Sequence, residues 1–276
     1  MRIVALFFAT LLAACGEERP LPKPETNTKP ARIISLDFCA DQYVLKLADR
    51  KSILALSREA GMDHSYMRET AAGLPTVRPL AEDAIALQPD LIVRSYGGGP
   101  NAERFFQAAG IPVLTVGWAG DIDAIKSVTQ DIADGLGQHA RGKALVAEID
   151  ARLEALPEST RKQSLLYMTP TGVTTGSGSL VHQLITAAGL TNYEPRPGWH
   201  PLPLERLASD TPDLIATSYF DTSAHSQDRW SAARHPVARQ QVANKTPVNL
   251  PGAWTACGAW FALDALEALA EAGTAP

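Results

Sequence analysis

From residue 31 onward, short runs of leucine and β-branched residues alternate with longer stretches whose apolar positions recur every three or four residues. The first pattern reads as buried strands and the second as amphipathic helices. Residues 32–36, 52–56, 91–93 and 111–116 are strand candidates, with helices over 40–48, 101–109 and 121–136. Residues 139–156 then place Leu145, Ile149, Leu153 and Leu156 on one helical face, and Pro157 stops the pattern. At about 1.5 Å per residue this helix is long enough to cross a small domain. The alternation restarts with strands over 164–168, 214–217 and 246–250 and helices over 179–188 and 261–272. Strand–helix alternation of this kind builds mostly parallel sheets covered on both faces.

The two halves echo each other. Residues 82–96 read EDAIALQPDLIVRSY and residues 205–219 read ERLASDTPDLIATSY. Each places a glutamate seven residues before Pro-Asp-Leu-Ile, and each ends in Ser-Tyr. The expectation is an α/β protein with two Rossmann-like lobes, mostly parallel sheets, a single long connecting helix and a ligand cleft between the lobes. The boundaries expected are an N-terminal lobe over 31–138, the connecting helix over 139–157 and a C-terminal lobe over 158–276.

In open α/β sheets a ligand sits beyond the carboxyl ends of the strands. The residues that follow the expected strands are Asp37, Phe38 and Cys39, then Arg94, Tyr96 and three glycines, then Trp118, then Tyr219 and Phe220, then Trp254 and Cys257. The loop over 195–203 adds Trp199 and His200. Aromatic side chains on loop ends suit a large, flat, partly apolar ligand. Tyr96, Trp199 and Trp254 are assigned to ligand contact, Trp230 and Trp260 to packing.

The first thirty residues change the picture of where this body sits. Residues 3–13 are almost wholly apolar and follow Arg2. The run is shorter than the roughly 20 residues that span a bilayer and fits the apolar region of an export signal. It ends in Leu12-Ala13-Ala14-Cys15, which resembles the bacterial lipobox. Residues 1–14 are therefore expected to be a lipoprotein signal peptide, with Cys15 lipidated and residues 15–30, rich in proline and polar side chains, serving as a tether. The formal charge is −5, and loss of residues 1–14 removes only Arg2 from that balance. Mild acidity without a basic stripe argues against a nucleic-acid partner. Of the three cysteines, Cys39 and Cys257 remain after Cys15. In an oxidising compartment they are either a disulfide or two separately buried thiols.

Catalytic constellations are not evident. The chain has no HExxH and no GxSxG, and its six histidines lack metal-ligand spacing. Residues 137–144 (GQHARGKA) approach a phosphate-binding loop but end in alanine where a magnesium-binding hydroxyl is required. A binding module is expected. The alternatives are an envelope α/β enzyme, or a surface lipoprotein that scavenges or senses a ligand without transporting it.

The order of these features resembles the class III substrate-binding proteins of ABC importers, which carry iron siderophores, haem and vitamin B12. The stretches SYGGGPNAERFFQAAGIPVLTV, GWHPLPLERL and PGAW are similar to the vitamin B12-binding members. The resemblance runs from about residue 32 to 272. It implies that Glu82 and Glu205, one on each lobe, dock onto arginines of a membrane permease. It implies aromatic ligand contacts from Tyr96, Trp199 and Trp254, with Tyr96 standing where the B12 members have tryptophan. Tyr66 and His200 become candidates for metal ligation, and Arg94 and His200 for anionic groups of the ligand. No resident cofactor is implied. The bound ligand would be a corrinoid, haem or a ferric siderophore, and the partners an ABC permease with its ATPase, a membrane reached through the lipid anchor, and no second copy of the chain.

Overall fold

The computed structural model describes residues 29–158, 162–219 and 231–274. The expected signal peptide, Cys15, nearly all of the tether, Phe220 and Trp230 lie outside these residues. The strands are β1 (Ile33–Ser35), β2 (Ile53–Ser57), β3 (Thr76–Val77), β4 (Leu91–Arg94), β5 (Val113–Thr115), β6 (Ser164–Met168), β7 (Val173–Thr175), β8 (Thr191–Asn192), β9 (Trp199–Pro201), β10 (Leu214–Tyr219) and β11 (Val248–Pro251). The α-helices are α1 (Phe38–Leu47), α2 (Arg68–Ala71), α3 (Ala81–Ala86), α4 (Ala102–Ala108), α5 (Ile122–Gly135), α6 (His139–Glu154), α7 (Leu180–Ala187), α8 (Leu204–Leu207), α9 (Pro236–Ala243) and α10 (Ala262–Thr274).

Two parallel sheets result. The first has the order β3-β2-β1-β4-β5 and the second β11-β10-β6-β8, with β7 and β9 forming a separate antiparallel pair. Read in the opposite direction, the second sheet is β8-β6-β10-β11, which matches β2-β1-β4-β5 of the first strand for strand. The sequence echo falls on corresponding elements: α3 precedes β4 in one lobe and α8 precedes β10 in the other. Duplication is thus a property of the topology as well as of the sequence.

Apolar strands buried on both faces explain the sheets. Along β1, Ile33 faces one core and Ile34 another; along β6, Leu165 and Tyr167 face one core while Leu166 and Met168 face the opposite one. Because side chains alternate along a strand, each sheet feeds two cores. One of these cores is common to both lobes, and it holds Tyr43 of α1, Ile132 of α5, Ile149 of α6, Leu184 of α7 and Leu266 of α10. The lobes therefore share apolar interior instead of touching only through a linker.

Helix ends follow from local chemistry. Asp121 caps α5 by accepting from the Ala124 N–H at 2.7 Å, and Ser179 caps α7 by accepting from the His182 N–H at 3.2 Å. The sequence that approaches a phosphate loop, residues 137–144, forms the turn into α6 and its first turns. Its Gly142 sits against α5, where a Cβ would come within 2.4 Å of the Ala133 Cβ. The glycine serves close helix packing. Near its start α6 is held by Arg141, which donates to the Leu47 carbonyl and pairs with Asp49 at 2.8 Å. Near its end Arg152 pairs with Asp264 at 2.6 Å and Glu267 at 2.7 Å on α10. Among the described residues no helix is long and apolar enough to cross a membrane.

Candidate ligand-binding cleft

A cavity of about 520 Å³ opens where the carboxyl ends of both sheets meet. Phe38 and Cys39 follow β1, Tyr96 follows β4, Trp118 follows β5, Leu180 and Val181 follow β7, and Thr255 and Cys257 follow β11. Trp199 reaches it from the start of β9.

The floor is a seam between the lobes. Cys39 and Cys257 form a disulfide with a Cα–Cα separation of 5.8 Å, which resolves the two readings of these cysteines. Beside it the Tyr43 hydroxyl donates to the Gly258 carbonyl at 3.0 Å. Gly258 lies so close to Ala119 of the other lobe that a Cβ would fall 2.1 Å from the Ala119 oxygen. Tyr43, Trp260 and Phe261 pack edge to face in sequence, with centroids 5.5 Å and 5.2 Å apart. Tyr66 stacks on Phe261 at 4.5 Å and donates to Asp264 at 2.8 Å. Burial, reinforced by that hydrogen bond to a carboxylate, pushes the Tyr66 hydroxyl up to about 12. Tyr66 thus faces the seam, and its phenol stays protonated.

The walls are aromatic and open. Trp118 is 86% exposed, Trp199 55% and Tyr96 53%. Tyr96 is held by its own loop. Asp37, fully buried, caps α1 through the Ala40 N–H at 3.0 Å and accepts from the N–H groups of Ser95, Tyr96 and Gly97 at 2.7, 3.1 and 2.9 Å. One carboxylate therefore fixes both the helix start and the loop that carries the aromatic ring. The Tyr96 hydroxyl makes a long hydrogen bond, 3.5 Å, to Glu59. Burial first, and the Glu59 charge second, raise its pKa above the usual tyrosine value.

The other expected contacts lie elsewhere. Arg94 donates to the carbonyl of Gly97 at 2.6 Å and of Tyr96 at 3.2 Å, so its guanidinium braces the loop. His200 approaches the Pro197 carbonyl through Nε2 at 2.8 Å. Trp254 is half-buried and packs on the shared core. None of Arg94, His200, Trp254 and Tyr66 is among the residues lining the cavity. Trp118 and Phe38 do line it. Their positions just after β5 and β1 are the available signal, although the sequence pattern assigns neither to ligand contact. Among the described residues no group of three or more His, Cys, Asp or Glu side chains is arranged to hold a metal ion.

Glu82 and Glu205 occupy the same place on the two lobes. Each is exposed and is the second residue of a short helix, α3 or α8. A hollow of about 490 Å³ opens beside Glu205, lined in part by Pro195, Pro201, Pro203 and Leu204.

Two lobes of parallel sheet with a cleft at the strand ends define a binding protein of the periplasmic type. The chain belongs to the periplasmic binding protein family, whose model matches residues 33–245. That family binds ligands for transport, so the enzyme alternative is set aside. Solved structures agree in fold. The haem-binding protein RhuT from Roseiflexus sp. RS-1 is 22% identical, covers 88% of this chain and 99% of its own, and superposes with a TM-score of 0.70. For the haem-binding protein HutB of Vibrio cholerae the values are 18%, 88%, 99% and 0.72. For the vitamin B12-binding protein BtuF of Vibrio cholerae they are 18%, 88%, 96% and 0.60. No curated protein sequence matches the chain.

Proposed function

We propose that this protein captures a metal chelate of the corrinoid, haem or ferric siderophore class in the interlobe cleft and hands it to an ABC permease driven by its ATPase. The observation that carries this reading is the cavity walled by Tyr96, Trp118 and Trp199 over the Cys39–Cys257 seam. Large exposed rings around a concave site fit a bulky ligand with flat apolar faces. Cys15 carries the lipid and residues 15–30 hold the body close to the membrane, where a permease partner requires it.

Glu82 and Glu205 are read as the docking carboxylates. They are exposed, related by the duplication, and without an ion-pair partner among the described residues. A carboxylate pairs with arginine bidentately, so two of them on a rigid body set orientation as well as attraction.

Titration of the processed protein with cyanocobalamin, haemin and a ferric siderophore panel tests the reading through tryptophan quenching. Stoichiometric capture of at least one chelate is expected. Flat responses across the panel would sink it. Charge reversal at both Glu82 and Glu205 is expected to leave that affinity within about twofold and to abolish uptake. Normal uptake by the double variant would remove the docking assignment.

A further inference from the structure

We infer that the cleft selects metal chelates of zero net charge and disfavours those bearing free carboxylates. This rests on the chelate-binding reading above and narrows its ligand class. Among the described residues that line the cavity, none carries a charged side chain. Its polar groups are hydroxyls, such as those of Ser95, Tyr96 and Thr255, together with the backbone.

The nearby charges point the same way. Arg94 stands beside the Tyr96 loop, yet its guanidinium donates to the carbonyls of Gly97 and Tyr96. His200, on the Trp199 strand, is turned to the Pro197 carbonyl. Nε and Nη2 of Arg94 and Nε2 of His200 are thus turned to carbonyls of the chain itself. On the first lobe two carboxylates flank the cleft wall: Glu59 against the Tyr96 hydroxyl, and buried Asp37 beneath residues 95–97. Asp37 also caps α1, so its charge opposes the partial positive charge of that helix start. The start of α7 has a neutral cap, Ser179, and leaves a partial positive charge on the facing wall. A cleft with one mildly negative and one mildly positive wall suits a ligand rich in amide or hydroxamate dipoles and free of net charge. A carboxylate moved into it leaves water and meets no charged side chain among the described lining residues, and such transfers are costly. Tyr96 offers no remedy, because burial and Glu59 hold its phenol protonated. In the free protein it is a neutral hydrogen-bonding group.

Matched pairs separate charge from shape. Cyanocobalamin is compared with its monocarboxylate derivative, in which one side-chain amide is hydrolysed, and haemin with its dimethyl ester. Affinities are measured by tryptophan quenching on the processed full chain. In each pair that binds, the uncharged periphery is expected to be favoured about tenfold or more. Equal or tighter binding of the carboxylate member overturns the charge rule while leaving chelate capture intact. A neutral ferric trihydroxamate and a carboxylate-bearing ferric siderophore form a third pair, and failure of all six to bind overturns both. Trp118→Arg adds a cation at a position that packs on little, so folding is retained and checked by thermal melting. It is expected to shrink or reverse the preference. A preference unchanged in that variant would show that shape, not charge, sets it, and would overturn the rule.

Discussion

Beneath the cleft Tyr43, Tyr66, Trp260 and Phe261 pack their rings against one another across the two lobes, whereas at its rim Tyr96, Trp118 and Trp199 leave half or more of their surface in water. The residue types are the same and the surroundings opposite. Seam aromatics are fixed by neighbours on both lobes and by the disulfide beside them. Rim aromatics sit on the loops after β4 and β5 and at the start of β9, where the described residues leave half or more of each ring uncovered. Apolar area left open in a concave site marks a binding surface. The seam holds the shape and the rim meets the ligand. Each can be perturbed separately.

The largest effect is expected at the seam. The Cys39–Cys257 bond joins positions 218 residues apart, so it restricts the unfolded chain strongly. Replacing both cysteines by alanine should cost about 3–5 kcal/mol of unfolding free energy. Denaturant midpoints measure this, and an unchanged midpoint would show that the shared core alone holds the lobes together.

A smaller effect comes from Asp41 on α1. Ser57 meets its carboxylate through the backbone N–H at 3.0 Å and the hydroxyl at 2.6 Å, but burial dominates and raises its pKa from 3.8 to about 6. A carboxyl that holds its proton more tightly when folded favours the fold fully below pH 3.8. That contribution is lost as pH rises through about 6. At neutral pH the fold then carries a buried carboxylate at a cost on the order of 2–3 kcal/mol. Asp41→Asn keeps an acceptor for the Ser57 N–H and removes the charge. Its stability should fall less than the parent's between pH 4 and pH 7, as read from urea midpoints at each pH. Parallel pH curves would refute the assignment.

The smallest effect on stability is expected at the rim. Trp118→Ala and Trp199→Ala should each change unfolding free energy by about 0.5 kcal/mol or less. Each should nevertheless weaken binding of the captured chelate about tenfold, since aromatic anchors dominate such contacts. Rim variants that unfold the protein, or seam variants that lose only affinity, would dissolve the distinction.

Much of the fold was legible along the chain. The strand at 91–93 is an uninterrupted apolar run and that at 164–168 is apolar after Ser164, and β4 (Leu91–Arg94) and β6 (Ser164–Met168) coincide with them to within a residue. The repeat around Glu82 and Glu205 anticipated the matching strand orders. Strands β3 and β8, two residues each, carry too little pattern to be seen. The pair β7 and β9 reads as loop because Thr174, Thr175 and His200 are polar and the pairing joins distant segments.

The site was legible only in part. Tyr96 and Trp199 line the cleft as their places in the sequence imply, while Trp254, in an equally suggestive place, turns onto the core and Trp118 stands open instead. Tyr66 and Arg94 are taken up by Asp264 and by loop carbonyls. By itself the sequence determined the alternation of strands and helices, the duplication and the cluster of aromatics at strand ends, because these depend on local periodicity and on residue type. Only the tertiary structure decided which rings face solvent, that Cys39 meets Cys257, and that Arg94 and His200 turn to backbone carbonyls. Those outcomes depend on which distant segments come within a few ångströms, and local pattern carries no record of that.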